Sequence, residues 1–231
     1  MDQIILLNQD THVHKDWITE LCNSASDRGE VGIFSSLEMT YDGKGLDPAN
    51  RRGLIVNVGE FVNDLVLGQV RNSYRVYECY AGAMMVHRKV FEAIGFFDTV
   101  FFIYGEDIDF CRRATRCGIP IWFIPKSIVY HYSTFSSENG WENPKTAHFA
   151  RRSWIILDIK NPERPLWRSI AAQLKTRLHM AINNLIRMRF ASVRHCMEDT
   201  IWILANISRL TASRRFDIKK ERQATSINKT K

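Results

Sequence analysis

The chain has 231 residues, of which 45% are hydrophobic, and its formal net charge is +7. That size is enough for one domain with its own core and a helical appendage, and no run approaches the roughly 20 apolar residues of a spanning helix. The basic charge favours an anionic partner: a nucleic acid, a nucleoside diphosphate or an anionic membrane face.

The cysteines are odd in number and none of their spacings fits a metal site. We therefore expect reduced thiols in a reducing compartment, mostly filling the core. They are Cys22, Cys79, Cys111, Cys117 and Cys196. The amino-terminal residues turn polar too quickly for a signal peptide. These features predict a cytoplasmic protein, either soluble or peripheral to a membrane.

The first predicted element is an apolar run over residues 3–7, followed by Asn-Gln-Asp-Thr. A run without alternation is typical of a strand buried on both faces, as in a parallel sheet. Asp10 follows the carboxyl end of this strand, where ligands collect in open α/β sheets. Because divalent cations prefer oxygen ligands, Asp10 is a candidate metal ligand. An Asx turn or a helix cap is the structural alternative.

The next elements follow from apolar periodicity. It predicts a helix over 15–26, a strand over 31–37, a buried strand over 81–86 and a short helix over 88–94. Between residues 40 and 75 the pattern weakens, so loop and short strand are expected there.

An aromatic loop over 101–104 precedes a helix predicted over 106–117, whose first turn carries Glu106 and Asp107. Carboxylates at this position often serve only the helix dipole and the cap. If the aromatic loop excludes water, however, partial burial raises a carboxyl pKa toward the range of a general base. Glu106 and Asp107 are therefore catalytic candidates.

Two strands are predicted over 119–124 and 127–131, with Pro125 and Lys126 between them. His131 stands at the end of the second strand. Neutral imidazole is a common metal ligand, although a single histidine between tyrosines is also a common structural residue.

The character of the chain changes after residue 140. We predict a partial catalytic domain over 1–140, a helical region over 141–218 with helices over 166–190 and 192–212, and a disordered basic tail over 219–231. Basic residues with Trp and Leu on helices suit the inner face of a membrane. Packing on the catalytic domain or on a second copy of the chain is the alternative.

Two stretches resemble one known family. Residues 6–11 with Trp17 resemble the "LLNxDT…W" segment of family-2 glycosyltransferases. Residues 81–137 are similar to the acceptor-side half of its bacterial rhamnosyltransferase-like members. The resemblance implies the GT-A fold, a Rossmann-like mixed α/β sheet flanked by helices.

The resemblance also implies a donor site. Asn8 and Asp10 stand where the family has its Asp-x-Asp-like motif, which binds the donor diphosphate together with Mg²⁺ or Mn²⁺. Gly82 matches a strand start that lines the donor sugar. His131 matches a position that completes the metal site in many members.

The implied reaction is inverting transfer of a sugar from a nucleoside-diphosphate sugar to a hydroxyl of a saccharide or lipid-linked acceptor, in cell-surface polysaccharide synthesis. Asp107 would be the general base, and Glu106 would assist in positioning.

The family normally has further βαβ units before the Asn-x-Asp segment. We therefore expect the chain to lack part of the nucleotide pocket and to be poorly active alone. The alternative function is an inactive remnant that serves as a partner or scaffold. Nucleic-acid binding is disfavoured, because the basic residues are spread out and no recognition motif accompanies them.

Overall fold

A computed structural model describes residues 2–48, 58–132 and 147–229. They fall into two compact units. The first is drawn from Met1–Phe97, Asp107–Trp141 and Glu221–Lys231, and the second from Asp98–Glu106 and Glu142–Lys220. The loop Asp98–Glu106, which the predicted domain division assigns to the catalytic part, thus groups with the helical unit.

The first unit is built on a six-stranded mixed sheet with the order β1-β5-β3-β6-β2, in which β4 also pairs with β6. Strands β3 and β6 run parallel, and the other pairs are antiparallel. The strands are β1 (Gln3–Leu7), β2 (Thr11–Val13), β3 (Ile33–Thr40), β4 (Tyr74–Val76), β5 (Ala83–His87) and β6 (Ile121–His131).

Helices flank this sheet and make up the second unit. Those that lie wholly or largely in the first unit are α1 (Trp17–Arg28), α2 (Gly59–Leu67), α3 (Arg88–Ile94) and α4 (Glu106–Arg116). The remaining helices are α5 (Ala147–Lys160), α6 (Leu166–Ile186) and α7 (Phe190–Lys229). The predicted fold class, a mixed α/β sheet flanked by helices, is confirmed.

The core lies on both faces of the sheet because successive strand residues point in opposite directions. Phe34 packs with the apolar stripe of α1, which includes Leu21. Its neighbour Ile33 packs in a second cluster with Phe110 of α4. All four of these side chains are fully buried, and each contributes about 1.5–3 kcal/mol.

The prediction for β1 was wrong in one respect. It pairs antiparallel with β5 and ends the strand order of the described sheet, and Ile4, Ile5 and Leu7 are exposed. An apolar run shows that a segment is hydrophobic. The number of strands that pair with it, however, is set by distant parts of the chain. The sequence pattern therefore could not distinguish this strand from a central one.

The described residues between 40 and 75 hold more structure than the sequence pattern indicates, and residues 49–57 of this predicted loop region lie outside the described residues. Helix α2 buries only Phe61, which packs edge-to-face on Tyr74 of β4 at 5.4 Å. Arg71 donates to Asp64 at 2.8 Å, and the Tyr74 hydroxyl donates to the same carboxylate. A helix with a single buried side chain has no clear apolar period, so the sequence pattern did not predict α2.

The two strands predicted around Pro125 form one strand, β6. Its pairing with β3 shifts register between Ser36, opposite Ile124, and Leu37, opposite Ile128. The extra residues form a bulge, where the Ser127 hydroxyl lies 2.9 Å from that of Ser36. The break predicted between two strands is therefore a bulge within one strand, and it changes the direction of the strand end.

The second unit contains a buried charge pair. Lys160 at the end of α5 is almost fully buried and lies 2.9 Å from Asp217 of α7, and it also contacts Asp98. Arg214 donates to the carbonyl of Ile159 at 2.7 Å. These polar contacts hold α7 against the end of α5.

The predicted disorder over 219–231 was wrong for residues 219–229, which continue α7. Within the first unit, Glu221 pairs with Arg116 of α4 at 2.6 Å, and Ala224 packs on the core. Polar composition suggested disorder, but contacts from elsewhere in the chain stabilise these turns.

The cysteines are free thiols, as predicted. Cys79 and Cys111 have their sulfur atoms 3.5 Å apart. Their hydrogen-bonding contact, together with burial, raises the pKa of the Cys111 thiol well above its ordinary value. Cys111 is therefore a core residue with little thiolate character.

Within the described part of the chain, no helix combines the length and apolar composition needed to cross a bilayer. The long helices α6 and α7 nevertheless expose apolar side chains. They include Trp167, Leu178, Ile182, Leu185, Ile201 and Leu204.

Candidate functional site

His131 ends β6 between two neighbouring strands. It pairs with Thr11 of β2 on one side and with Thr40 of β3 on the other. The turn between β1 and β2 places Asp10 beside it, and the backbone N–H of Tyr132 donates to the Asp10 carbonyl at 2.7 Å. The imidazole Nε2 lies 3.3 Å from Oδ1 of Asp10. The two predicted metal ligands are thus in direct proximity.

Two further carboxylates reach the other ring nitrogen of His131. Nδ1 lies 3.4 Å from Oδ2 of Asp47 and 3.9 Å from Oε2 of Glu38. Asp47 is 0% exposed and Glu38 is 4% exposed, whereas the Asp10 side chain is 44% exposed. Neither buried residue was predicted from the sequence. A glutamate within an apolar strand was the one signal that could have indicated Glu38.

Asp47 reaches the site because the chain reverses after β3. The N–H of Thr40 donates to the carbonyl of Gly45 at 2.8 Å, and Gly43 adopts φ 68° in the turn. Past the turn, the Asp47 N–H donates to the carbonyl of Glu38 at 3.0 Å. The turn chemistry of Tyr-Asp-Gly-Lys-Gly therefore places a second acid beside the one on the strand.

The electrostatics of this cluster favour a cation. The contact with Asp47 raises the pKa of His131 above its ordinary value, burial opposes this, and Glu38 and Asp10 add to the rise. Three carboxyl groups, those of Asp10, Glu38 and Asp47, thus surround one imidazole. Ligand atoms of Glu38, Asp47 and His131 lie within 4.8 Å of one another, close enough to hold a metal ion. The donor set, mostly carboxylate oxygen, fits a hard divalent cation.

Gly82 lies directly against this cluster. A Cβ atom at Gly82 would lie 2.6 Å from Oε1 of Glu38, so a side chain at this position would displace the Glu38 carboxylate. The carbonyl of Gly82 accepts the N–H of Asn8 at 2.9 Å. Asn8 itself is exposed, and this contact is made by its backbone.

Asp107, in the first turn of α4, is half-buried and contacts the residue that precedes Gly82. Its Oδ2 accepts the N–H of Ala81 at 3.2 Å, and its Oδ1 accepts the N–H of Ile108 at 2.7 Å. Ala81 immediately precedes Gly82. The peptide at 81–82 therefore lies between the predicted base and the acidic cluster. Glu106, also half-buried, is the residue before Asp107.

The turn before α4 has unusual backbone geometry. Tyr104 adopts φ 68° and Gly105 adopts φ 85°. The Ser153 hydroxyl donates to the Tyr104 carbonyl at 2.5 Å, and a Cβ at Gly105 would lie 3.0 Å from Ser153. A left-handed tyrosine is uncommon and must be held by its surroundings, which Ser153 does here. In the same loop Phe102 is exposed and stacks on Phe149 at 4.7 Å.

A separate polar cleft of about 510 Å³ lies beside α1 and contains none of the predicted site residues. We assign it no role in the site, because the convergence of acids on His131 is the stronger chemical feature. Its lining consists of Glu20, Asn23, Ser24, Asp27, Arg28, Asn72, Ser73, Ile124 and Lys126.

Comparison with known proteins gives one family match and several relatives. The family described as glycosyl transferase family group 2 matches residues 3–211. The low-salt glycan biosynthesis hexosyltransferase Agl10 of Haloferax volcanii is 29% identical over 122 residues, which is 52% of this chain and 39% of that protein. The rhamnosyltransferase WbbL of Escherichia coli is 27% identical over 172 residues, 67% of this chain and 64% of that protein.

A third relative is the N-acetylglucosaminyl-diphospho-decaprenol L-rhamnosyltransferase of Mycobacterium tuberculosis. It is 25% identical over 107 residues, 45% of this chain and 34% of that protein. The matches thus span between about a third and two thirds of the length of these curated relatives.

Proposed function

The chain belongs to glycosyl transferase family group 2, and from this premise we propose that it moves a sugar from a nucleoside-diphosphate sugar to an acceptor hydroxyl. The family assignment confirms the resemblance drawn from the sequence. The observation that carries the proposal is the convergence of Asp10, Glu38 and Asp47 on His131, beside a glycine that Asp107 approaches from α4.

We propose that Asp10 and His131 bind Mg²⁺ or Mn²⁺. The Asp10 side chain is 44% exposed, so it is open to a ligand from solvent. Nε2 of His131 lies 3.3 Å from Oδ1 of this side chain. When bound, such an ion supplies Lewis-acid neutralisation of the charge on a leaving diphosphate. Gly82 would leave room for the donor sugar, and Asn8, next to the β1–β2 turn, would contact the donor.

Asp107 is the proposed general base. One carboxylate oxygen is oriented by the Ala81 N–H, which fixes the side chain beside the 81–82 peptide. The proposed reaction is an in-line displacement. Asp107 takes the proton of the acceptor hydroxyl as its oxygen forms a bond to the anomeric carbon, and the bond to the diphosphate oxygen breaks with inversion. Glu106 would assist in positioning the acceptor.

The names of the relatives guide the choice of substrates. One is a hexosyltransferase of glycan biosynthesis, two are rhamnosyltransferases, and the mycobacterial name includes a lipid-linked sugar diphosphate. We propose a hexosyl or rhamnosyl donor and a saccharide or lipid-linked acceptor, in the synthesis of a cell-surface polysaccharide.

The test is a transfer assay with the full chain, Mn²⁺ and a panel of hexosyl and rhamnosyl nucleoside diphosphates. A lipid-linked N-acetylglucosaminyl diphosphate and free saccharides serve as acceptors. We expect a product of inverted anomeric configuration by NMR, and calorimetric binding of the matching nucleoside diphosphate. Failure to bind any nucleoside diphosphate in the presence of Mn²⁺ would overturn the proposal.

A lipid-linked acceptor would require contact with a membrane surface. Leu178, Ile182 and Leu185 recur on one exposed face of α6, a pattern that suits interfacial binding with neighbouring basic residues. We propose a peripheral site on the inner face of the cell membrane. Co-sedimentation with anionic vesicles should be lost on triple substitution of these residues by Ser, and in high salt. Val66→Ser, a still more exposed apolar site on α2, is the control.

A further inference from the structure

A row of contacts joins one side of α4 to residues 77–81, the irregular segment between β4 and β5. The Thr115 hydroxyl donates to the carbonyl of Tyr77 at 3.1 Å, and Arg112 donates to the carboxylate of Glu78 at 2.6 Å. As residue numbers rise along the segment they fall along the helix, so the two run in opposite directions. We call this row of contacts the α4 seam, and it lies entirely within the first unit.

Two thiols meet in the middle of the α4 seam. The sulfur atoms of Cys79 and Cys111 lie 3.5 Å apart, and the Cys111 thiol also lies 3.6 Å from the carbonyl oxygen of Cys79. Beyond them, toward the start of α4, Asp107 accepts the N–H of Ala81. Because polar contacts hold the helix and the segment together on both sides of the thiols, the two sulfur atoms are kept in proximity. A disulfide has an S–S bond of about 2.05 Å, so the sulfur atoms need to approach by only about 1.5 Å.

The two thiols differ in their access to solvent. Cys79 is half-buried, whereas Cys111 is fully buried. The contact with Cys79 and burial together raise the pKa of the Cys111 thiol, so Cys111 is a poor first nucleophile. It is well placed for a second step, however, since an attack on a sulfur atom 3.5 Å away is intramolecular and needs little reorganisation. Cys79 is therefore the thiol that meets a reagent, and Cys111 is the thiol that completes the bond.

We propose that Cys79 and Cys111 form a redox modification site for small-molecule disulfides such as oxidised glutathione. Oxidation there converts the two thiols into a reversible disulfide that links α4 to the segment before β5. The site is separate from the acidic cluster around His131, and the inference does not depend on the proposed transfer reaction. In a reducing compartment such a bond is transient, which suits a redox sensor and not a permanent structural cross-link.

The exchange needs no oxidant besides the small-molecule disulfide. The Cys79 thiolate attacks one sulfur atom of oxidised glutathione, so that a mixed disulfide forms at Cys79 and the first glutathione thiolate leaves. The Cys111 thiol then loses its proton, and its thiolate attacks Sγ of Cys79, which releases the second glutathione thiolate. The two protein thiols lose two electrons and two protons, and one glutathione disulfide becomes two glutathione thiols. Dithiothreitol reverses the exchange.

The disulfide lies one helical turn from the proposed base. Cys111 follows Asp107 by one turn of α4, so the two side chains are on the same side of the helix. The bond closes the loop of residues 79–111, which contains β5 and α3, and a closed loop leaves fewer conformations to the unfolded chain. Oxidation should therefore stabilise the fold of the first unit and hold the α4 seam together.

The experiment incubates the native full chain with oxidised glutathione, blocks the remaining thiols and maps the cysteines by mass spectrometry after digestion. Trypsin places each of the five cysteines on a different peptide, so every pairing is distinguishable. We expect a linked pair formed by peptides 76–88 and 90–112, which dithiothreitol separates. The thermal midpoint of the oxidised chain should be about 5–10 °C higher than that of the reduced chain.

Three variants separate the two steps. Cys111→Ala should stop at the mixed disulfide on Cys79 and show no rise in the thermal midpoint. Cys79→Ala, at a half-buried position, is the second variant and should leave Cys111 unmodified. Cys22→Ser is the matched control, because Cys22 is an exposed thiol on α1, and it should form the linked pair as the wild-type chain does.

The inference is overturned if Cys79 of the wild-type chain stays unmodified or remains a mixed disulfide, or if the linked pair joins other cysteines. A linked pair with an unchanged thermal midpoint would overturn the role of the bond in holding the α4 seam. None of these outcomes depends on sugar transfer, so failure of the proposed function would leave the inference standing.

Discussion

The carboxylate of Asp107 accepts a hydrogen bond from the backbone N–H of Ala81, 3.2 Å away. This contact joins the first turn of α4 to the residue that precedes Gly82 at the start of β5. It therefore connects two segments that the sequence analysis proposed separately. The first turn of α4 was proposed to carry the general base, and the start of β5 was proposed to line the donor site.

The first prediction concerns that base. Asp107→Asn should lower the rate of transfer by about 10²- to 10⁴-fold, because an amide cannot take the acceptor proton. The amide oxygen can still accept the Ala81 N–H, so the circular dichroism spectrum and thermal midpoint should change little. Glu92→Gln, an exposed carboxylate on α3, is the control and should retain full activity. Undiminished transfer by Asp107→Asn would remove Asp107 from this role.

The second prediction concerns pH. The pKa of His131 is raised, chiefly by Asp47, so in the metal-free chain its protonated form stabilises the fold. That contribution is complete below the unfolded pKa of about 6.5 and is lost as pH rises through the higher folded value.

Metal binding should show the opposite trend, because Mn²⁺ must displace the proton of His131. Below the folded pKa, affinity should fall by about tenfold per pH unit. Calorimetry in two buffers of different ionisation enthalpy should detect close to one proton released. The release should disappear in His131→Gln; release of the same amount by that variant would assign the proton to another group.

The third prediction concerns Gly82. In Gly82→Ala, the new methyl would meet the buried Glu38 carboxylate at 2.6 Å and displace it. We expect a stability loss of about 1–3 kcal/mol in urea unfolding and weaker Mn²⁺ binding, since overpacking has little room to relax. Gly45→Ala is the control because nothing lies within 4 Å of the position that its new methyl would occupy. Recovery by the shorter side chain in Gly82→Ala/Glu38→Asp would identify the clash as the cause, and equal losses in both glycine variants would contradict it.

The fourth prediction concerns a buried ion pair in α4. Arg113 and Asp109 are joined at 2.8 Å and almost fully buried, and Arg113 also donates to the carbonyls of Ile94 and Phe96. Asp109→Ala should lower the free energy of unfolding by about 3–5 kcal/mol, because it leaves a buried guanidinium without its carboxylate. Urea denaturation measures this.

The control for that pair is Arg194→Ala, which removes an exposed i,i+4 pair with Glu198 on α7 and should cost under about 1 kcal/mol. A similar loss in both variants would show that burial does not set the strength of the Arg113–Asp109 contact.

The sequence alone identified the family and most helices and strands. It also selected Asp10, Asp107 and His131 as candidates, because turns and strand ends are encoded locally by residue type and apolar period. The exposed edge position of β1, the short helix α2 and the final turns of α7 were decided by contacts with distant residues.

The composition of the acidic cluster around His131 was likewise decided by contacts between distant residues. Glu38 and Asp47 meet His131 only because β3 pairs in parallel with β6 past a bulge and then turns back on itself. Local patterns indicate which residues favour a strand, but the register between strands is set by the whole sheet. A one-residue slip of β3 against β6 would turn the Glu38 side chain to the opposite face, which is why only the tertiary structure could bring this residue to His131.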